Sequence, residues 1–283
     1  MSNGPQQLPA SAGPPEPHIR MVNLHKRFGS LVVLDGVSLN VAERESMVVI
    51  GPSGTGKSVL LKLIVGLLQP DSGEVYFHGQ RIDHLPDREL EPVRIRFGVL
   101  FQMGALFDSM TVGENIAFPL REHTKYKPSE IRDIVAQKLR MVGLENTEQK
   151  MPAELSGGMK KRVALARAIA MDPEVVLYDE PTTGLDPIRA DVINELILKL
   201  NEELHVTSIV VTHDMTSAFK VGDRLVMLSG GKVIAEGTPE QIRCCAHEEV
   251  KRFVEGKATP EELQAIRLHQ VREIAGEAMF SDL

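Results

Sequence analysis

The sequence predicts an α/β protein in which a mostly parallel sheet carries helices on both faces. Two observations support this prediction. Short apolar segments of strand length alternate with segments of helical periodicity along most of the chain, and parallel neighbours need such crossovers between them. A glycine-rich loop, Gly51 to Ser58, also lies between a predicted strand and a predicted helix, which is the position of phosphate-binding loops in α/β proteins.

The predicted elements begin with two alternating strands that are separated by a turn at Gly29-Ser30. Strands are predicted at 18–28, 31–41, 47–50, 74–78, 97–101, 175–179, 207–212, 224–228 and 232–236. Helices are predicted at 57–68, 128–142 and 188–204, and a further helix follows Ser156. Between the strands at 97–101 and 175–179 the chain is mostly helical, from about residue 111 to residue 171. This helical block is predicted to be a subdomain inserted into the sheet.

Composition divides the chain into further segments. Residues 1–17 are rich in Pro, Gly, Ser and Gln and predict a disordered tail, or alternatively an address or docking arm. The helical block is placed at about 103–172. Residues 241–283 are charged and predict a helical extension.

The bulk properties exclude some classes of function. The net charge of −7 argues against general nucleic-acid binding. Cys244 and Cys245 are adjacent and fit neither a disulfide framework nor a zinc site, which suggests a reducing compartment. No apolar run approaches the ~18 residues of a membrane span, and no secretory signal is recognisable. We therefore expect a cytoplasmic chain whose membrane role, if any, comes from a partner.

The loop GPSGTGKS matches the phosphate-loop pattern G-x-x-x-x-G-K-[ST] in full. Small residues let the backbone wrap a phosphate chain with its N–H groups pointing inward, and the following helix adds partial positive charge. Lys57 would neutralise the β- and γ-phosphates, and Ser58 would offer a hydroxyl to Mg²⁺. The alternative is a strand-to-helix turn that contains a lysine by chance.

Polar residues follow three buried strands. Asp179 and Glu180 end VVLYDE, His213 follows IVVT, and Gln102 follows FGVLF. The carboxyl ends of parallel strands form the ligand edge of such sheets. Asp179 would hold Mg²⁺ and Glu180 would polarise an attacking water, unless both are solvated acids. By themselves, His213 and Gln102 are ordinary hydrogen-bonding residues.

A second anion-binding turn is predicted at Ser156-Gly157-Gly158, where a helix begins with two glycines behind a potential N-cap serine. Lys160 and Lys161 follow near the helix start, where cations are unfavourable by ~0.3–1 kcal/mol. They either lie near a nucleotide anion or are solvated surface lysines.

The ordered set of GPSGTGKS, Gln102, LSGGM, VVLYDEP, TTGLDP and VVTHD resembles ATP-binding cassette (ABC) ATPases over residues 18–240. The resemblance implies a P-loop NTPase with a RecA-like parallel core, an N-terminal antiparallel β subdomain and an inserted α-helical subdomain. It also implies a head-to-tail homodimer in which the Ser156 turn binds the nucleotide held by the other copy.

Family resemblance assigns roles to individual positions of this chain. Glu180 is the base or water-polariser, His213 contacts the γ-phosphate, and Gln102 contacts Mg²⁺ or the lytic water. Phe28 stacks on adenine, and Asp186 lies at the subunit contact. The implied nucleotide-binding set is Phe28, Gly51, Pro52, Ser53, Gly54, Thr55, Gly56, Lys57, Ser58, Val59, Ser156, Gly157, Gly158 and Asp186. The implied metal-binding set is Ser58, Gln102 and Asp179.

The form LSGGM, where most signatures read LSGGQ, resembles the ATPases of Mla-type, MCE-associated phospholipid transporters, as does EEVKRFVEG. This implies ATP and Mg²⁺ as ligands, a membrane permease in two copies, an MCE-domain lipid-binding protein and a STAS-domain protein as partners, and a location on the inner face of the inner membrane. Residues 103–115 are apolar and form either the permease contact or the core of the helical block. Residues 259–283 either reach across the dimer or are solvated.

Two other functions compete with phospholipid transport. An importer of a small solute such as an amino acid or a metal would use the same catalytic residues, since specificity resides on other chains. A non-transport ABC ATPase is weaker, because the chain has neither the long coiled-coil insertion of repair types nor the second cassette of translation types.

Overall fold

The computed structural model describes residues 16–259. Within them the strands are β1 Ile19–Phe28, β2 Leu31–Val41, β3 Ser46–Ile50, β4 Ser72–Phe77, β5 Gln80–Arg81, β6 Phe97–Leu100, β7 Val175–Asp179, β8 Thr207–Val211, β9 Arg224–Ser229 and β10 Lys232–Gly237. The helices are α1 Lys57–Ile64, α2 Asp87–Arg94, α3 Val112–His123, α4 Pro128–Met141, α5 Gly157–Ala168, α6 Pro187–Leu204, α7 Met215–Val221, α8 Pro239–Arg243 and α9 Glu248–Glu255, with a 3-10 turn at Pro152–Glu154.

The described strands form two sheets. A six-stranded sheet has the order β10-β9-β3-β8-β7-β6 and is parallel except for the β9–β10 pair. A four-stranded antiparallel sheet has the order β2-β1-β4-β5. The predicted α/β class, with a mostly parallel core and an antiparallel N-terminal sheet, is therefore confirmed.

The six-stranded sheet is buried on both faces, and its strands alternate between two cores. Val48, Ile50, Val176 and Tyr178 point into a core shared with α3–α7, whereas Met47 and Val49 point into one shared with α1, α2 and the antiparallel sheet. This alternation follows from the period of two along a strand. Both faces are covered because crossover connections place helices there.

The helical block, α3 to α5, lies in sequence between β6 and β7, which are nevertheless direct parallel neighbours in the sheet. α3 starts with a capping box, in which the Thr111 hydroxyl accepts from the Glu114 N–H and the Glu114 carboxylate accepts from the Thr111 N–H. Gly98 of β6 allows α5 to approach closely, because a Cβ there would lie 2.4 Å from the Ala168 carbonyl oxygen.

Several boundaries differ from the sequence predictions for local reasons. The helix predicted at 57–68 ends at Ile64, because Gly66 takes a φ of 69° and turns the chain. α2 and α7 were not predicted: α2 is charged and contains Pro92, and α7 is only seven residues long. The predicted boundary at residue 240 falls inside α8.

The C-terminal part of the described chain packs on the main core. Val250 of α9 is fully buried, and the Ser229 hydroxyl hydrogen-bonds to the Glu249 carboxylate. The tail predicted at 1–17 lies outside the described residues except for Glu16 and Pro17, and the segment after Thr259 lies outside them entirely. Among residues 16–259, every helix is too short or too polar to cross a membrane.

Candidate functional site

The carboxyl edge of the six-stranded sheet brings together side chains from three neighbouring strands. Val49 of β3 aligns with Val211 of β8, and Asp179 of β7 aligns with the same Val211. The three strands therefore end at one level. The loop after β3, the acids at the end of β7 and His213 after β8 consequently meet at one place, as parallel topology requires.

The loop 51–58 is packed against β9 and β2. A Cβ on Gly51, whose φ is 146°, would lie 2.2 Å from the Leu228 carbonyl oxygen, so only glycine fits there. Gly56, with a φ of 97°, is the N-cap residue of α1, and a Cβ there would lie 2.9 Å from the Val33 carbonyl oxygen. The Thr55 hydroxyl donates to the Pro52 carbonyl at 2.9 Å, whereas Pro52, Ser53 and Gly54 are exposed.

Lys57 is folded onto its own loop. Its ammonium donates to the carbonyl oxygens of Gly51 at 2.7 Å and Pro52 at 2.8 Å, and the residue is buried. Burial lowers the pKa of Lys57, while the negative charges of Glu180 and Asp179 act in the opposite direction. A phosphate chain bound by the loop would replace these carbonyl contacts with ion pairs, in which both the donor and the acceptor are charged.

Ser58 and Asp179 are in direct contact. The Ser58 hydroxyl donates to Asp179 Oδ1 at 2.7 Å. Burial raises the pKa of Asp179, the hydrogen bond from Ser58 lowers it, and the charge of Glu180 raises it again. A hydroxyl and a carboxylate are oxygen donors of the kind that Mg²⁺ prefers, and this pair lines a small crevice with Phe101.

Glu180 is held by contacts on both its backbone and its side chain. Its φ is 50°, an uncommon conformation for a residue with a side chain. Its N–H donates to the Val211 carbonyl at 2.9 Å. Its Oε2 lies 2.9 Å from His213 Nδ1 and accepts from the Thr183 hydroxyl at 3.0 Å. The side chain of His213 is half exposed, so it is accessible beside an almost buried carboxylate.

Sequence reasoning missed the role of Lys161. The alternative of a solvated surface lysine is wrong for Lys161, since its ammonium is buried and donates to the Glu180 carbonyl oxygen of the same chain at 3.0 Å. The alternative of a nearby nucleotide anion stays a prediction. Burial lowers its pKa, and Glu180 and Asp179 oppose that shift. Lys161 thereby connects α5 to the strained backbone of Glu180. The sequence signal that could have indicated this contact is a basic residue one turn into the helix that begins at Ser156-Gly157-Gly158.

Four further residues of the predicted site lie outside the contacts described so far. Gln102 is exposed and stands two residues beyond β6, because β6 ends at Leu100, one residue earlier than predicted. Phe28 is 49% exposed at the end of β1. Val59 is partly buried in α1. Asp186 is the N-cap of α6, where its carboxylate accepts from the Arg189 N–H at 3.0 Å.

The Ser156-Gly157-Gly158 turn starts α5. Ser156 is the N-cap and its hydroxyl accepts from the Met159 N–H at 3.4 Å. Ser156 and Gly157 are exposed, and Gly158 packs near Arg189. The helix terminus is therefore open to an anion from outside the chain.

Comparisons with known proteins agree with this geometry. Residues 34–183 match the family model described as ABC transporter. The chain is 48% identical over 240 residues to the intermembrane phospholipid transport system ATP-binding protein MlaF of Haemophilus influenzae. The match covers 85% of this chain and 91% of that relative. It is 45% identical to the probable ribonucleotide transport ATP-binding protein mkl of Mycobacterium leprae, over 84% of this chain and 69% of that protein.

A similar solved structure is the dimeric post-hydrolysis state of the ATP-binding cassette MJ0796 bound to ADP and Pi. It has a TM-score of 0.72 and 36% sequence identity, and the match covers 78% of this chain and 98% of that chain. A likeness at this level of identity supports the same fold and the same kind of nucleotide site.

Asp179→Asn should stabilise the nucleotide-free chain at neutral pH by about 1 kcal/mol, a usual size for relieving a functional constraint. Because burial raises the folded-state pKa above 3.8, the ionised carboxylate destabilises the fold. This penalty is absent below the unfolded pKa, grows as the pH rises towards the folded pKa, and is complete above it. Urea denaturation at several pH values measures the difference between variant and parent, which should shrink towards acid.

The matched control is Asp186→Asn, an exposed N-cap position where asparagine caps as well as aspartate. It should lower the free energy of unfolding by no more than about 0.3–1 kcal/mol, because α6 and Arg189 lose a negatively charged partner, and it should not raise it. A destabilised Asp179→Asn chain would contradict the burial argument.

Lys161→Met should reduce the rate of ATP hydrolysis by about tenfold or more while ATP affinity stays near that of the parent. The reason is that a buried carbonyl loses its charged donor, a loss of about 1–3 kcal/mol that falls on the position of Glu180. Steady-state kinetics and equilibrium nucleotide binding give the two quantities. Lys160→Met, at the partly buried neighbouring lysine, is the control. Equal hydrolysis rates for the two variants would disprove the positioning role of Lys161.

Proposed function

This chain belongs to the ABC transporter family and hydrolyses ATP, and we propose that this hydrolysis energises phospholipid transport between two membranes. The proposal is supported by the 48% identity to a protein named as the ATP-binding component of an intermembrane phospholipid transport system, since this chain spans 91% of that relative. The observation that carries the catalytic part is the convergence of Ser58 with Asp179 and of Glu180 with His213 at the edge that carries the phosphate loop.

In this proposal, the chain binds ATP through the loop 51–58. The backbone N–H groups and Lys57 hold the β- and γ-phosphates, and the exposed ring of Phe28 offers its face to adenine. Glu180 accepts a hydrogen bond from the attacking water and aligns it, while His213 contacts the γ-phosphate from the adjacent strand end. The short Glu180–His213 contact keeps the two groups in register.

Ser58 and Asp179 would hold Mg²⁺, with Gln102 as the third candidate ligand. The fit is supported by the oxygen donor set, since a hydroxyl and a carboxylate lie in direct contact. Bound there, Mg²⁺ would offset the negative charge that develops on the phosphates during transfer.

ABC cassettes dimerise and work with membrane permeases, and we assign the Ser156-Gly157-Gly158 turn to the nucleotide of a second copy. The turn is exposed and opens at a helix N-terminus, and a similar cassette has a dimeric structure bound to ADP and Pi. Asp186, near the same surface, would lie at the contact. Shifting such a dimer from 1:99 to 99:1 closed requires about 5.5 kcal/mol of differential affinity, which ATP shared between two chains would supply.

The permease would dock on a groove between α2 and the helical block. The groove has a volume of about 910 Å³ and is lined by Phe101, Ala105, Phe107, Phe118, Pro119 and Met171 among others. Met103 is 88% exposed and Phe107 41% exposed, whereas Val112 and Asn115 of the same segment are buried. The first part of the apolar segment 103–115 is thus open to a partner, whereas its last part lies in the core of the helical block. The segment is therefore compatible with both alternatives, the permease contact and the core.

The further partners follow from the Mla-type resemblance. We propose two copies of the permease, an MCE-domain protein that carries the lipid and a STAS-domain protein, with this chain held at the inner face of the inner membrane. The competing substrate is a ribonucleotide or another small solute, which is favoured by the name of the mkl relative. That relative extends further beyond the match, since this chain covers 69% of it.

Glu180→Gln should lower ATP hydrolysis by about 10²–10⁴-fold, the usual contribution of a positioned acid or base. The amide keeps the size of the side chain but accepts the water proton poorly, so ATP stays bound and the chains stay closed together. Hydrolysis assays and size-exclusion chromatography with Mg·ATP measure both effects. Glu202→Gln, on the exposed face of α6, is the matched control.

Adding Gly157→Asp to the Glu180→Gln chain should abolish the ATP-dependent dimer, because a carboxylate would meet the partner's phosphates. One-site ATP affinity should persist in the monomer. Parental hydrolysis by Glu180→Gln would disprove the catalytic assignment, and loss of monomer affinity in the double variant would place the turn on its own chain's nucleotide.

The transport assignment predicts what purifies with the full chain from detergent-solubilised membranes of the cells that express it. A permease, an MCE-domain protein and bound phospholipid are expected, identified by mass spectrometry. Recovery of a binding protein for ribonucleotides or other small solutes would contradict lipid transport.

Phe107→Ser should reduce recovery of the permease at least about tenfold, since a buried phenylalanine contributes about 1.5–3 kcal/mol. Tyr126→Ser changes an equally exposed aromatic residue outside the groove and should have no effect. Equal recovery with both variants would place the permease elsewhere on the surface.

A further inference from the structure

Three metal-ligating side chains converge at the amino-terminal edge of the six-stranded sheet, opposite the phosphate loop. His18 precedes β1 and His78 follows β4, so both come from the antiparallel sheet, whereas Glu174 precedes β7 of the other sheet. Within residues 16–259 this is the one group of three His, Cys, Asp or Glu side chains with ligand atoms all within 4.8 Å of one another. Nothing in the proposed ATPase mechanism uses these residues.

The distances fit a tetrahedral transition-metal site. His18 Nε2 lies 3.0 Å from His78 Nε2 and 3.7 Å from Glu174 Oε2, and His78 Nε2 lies 2.8 Å from the same oxygen. Ligand bonds of about 2.0–2.1 Å in tetrahedral geometry place neighbouring ligand atoms about 3.3 Å apart. The observed separations lie on both sides of that value, so small side-chain adjustments suffice.

Hydrogen bonding alone satisfies the cluster poorly. His18 Nδ1 lies 2.6 Å from the Thr207 hydroxyl, and in the tautomer that donates this N–H the Nε2 lone pair of His18 faces the cluster. A single Nε2–H on His78 can point at His18 or at Glu174, but not at both. A divalent cation would accept all three lone pairs together, with the contact to Thr207 orienting His18 as metal-bound histidines require.

Arg96 orients the Glu174 carboxylate and also limits the affinity of the cluster for a metal ion. Its Nε and Nη2 donate to Glu174 Oε1 at 2.5 Å and Oε2 at 2.7 Å. Each carboxylate oxygen has a second lone pair, so this pairing fixes the orientation of Glu174 and leaves Oε2 able to bind a cation. The guanidinium charge lies close to the metal position and weakens binding relative to a site without it.

We propose that His18, His78 and Glu174 form a binding site for one divalent transition-metal ion of the zinc class, which ties the antiparallel sheet to the six-stranded sheet. Two imidazoles and one carboxylate select zinc-like ions over Mg²⁺. The half-exposed side chains of His78 and Glu174 give access from solvent and room for water as a fourth ligand. Glu174 and Asp179 are five residues apart along β7, about 17 Å, so this ion is separate from the nucleotide.

The test uses the full chain, stripped with a chelator and kept in excess Mg²⁺ so that the oxygen ligands of the nucleotide edge are occupied. Titration with Zn²⁺ alone is followed by calorimetry, and titration with Co²⁺ alone by visible absorption. One ion per chain is expected, with the cobalt bands of a tetrahedral site and a higher melting temperature in Zn²⁺. His78→Asn should weaken Zn²⁺ binding at least tenfold and remove the thermal shift.

His84→Asn, at an exposed histidine of the same region, is the control and should behave as the parent does. His78 is half exposed, so its variant should remain folded, which ATP hydrolysis at the parental rate verifies. The proposal is overturned if the parent binds no Zn²⁺ in excess Mg²⁺, or if His78→Asn and His84→Asn bind it equally. These outcomes are independent of the ATPase and transport assignments.

Discussion

The common level at which β3, β7 and β8 end is the constraint on which the site depends. β8 lies between the other two strands, and Val211 is aligned with both Val49 and Asp179. A shift of one strand by a single residue would turn its side chains to the other face of the sheet. The Ser58–Asp179 hydrogen bond and the Glu180–His213 contact each join groups that lie at or beyond the ends of different strands, so both are consequences of this register.

A second layer of constraint comes from the helical block. Lys161 of α5 donates to the carbonyl of Glu180, a residue whose left-handed backbone conformation is unfavourable in isolation. The contacts of the Glu180 N–H with Val211 and of its carboxylate with His213 and Thr183 complete the restraint. The Glu180 carboxylate, which we propose activates the attacking water, is thus positioned by both the sheet and the inserted helices.

The sequence predicted the sheet and the phosphate edge because these depend on local patterns. Val175–Asp179 is buried throughout, and both ends of this strand were predicted to the residue. In the loop 51–58, the spacing of the glycines and the lysine is one that few structures other than phosphate-binding loops require. What could not be predicted depends on tertiary contacts. Lys161 looks like a surface lysine until α5 is placed on β7, and His18 and Glu174 are 156 positions apart in a chain that gives no local sign of their meeting.

The buried charges explain why the site needs its ligand and how two sites could communicate. Lys57 and Lys161 have lowered pKa values and Asp179 a raised one, all chiefly through burial, so the edge carries a desolvation cost that phosphate and metal would offset. In the proposed dimer, the N-terminus of α5 contacts the partner's nucleotide while Lys161 on the same helix contacts Glu180. A displacement of α5 therefore changes the support of Glu180, and through it hydrolysis at the chain's own nucleotide. Because binding free energies are reciprocal, each ATP would then influence how tightly the other is held.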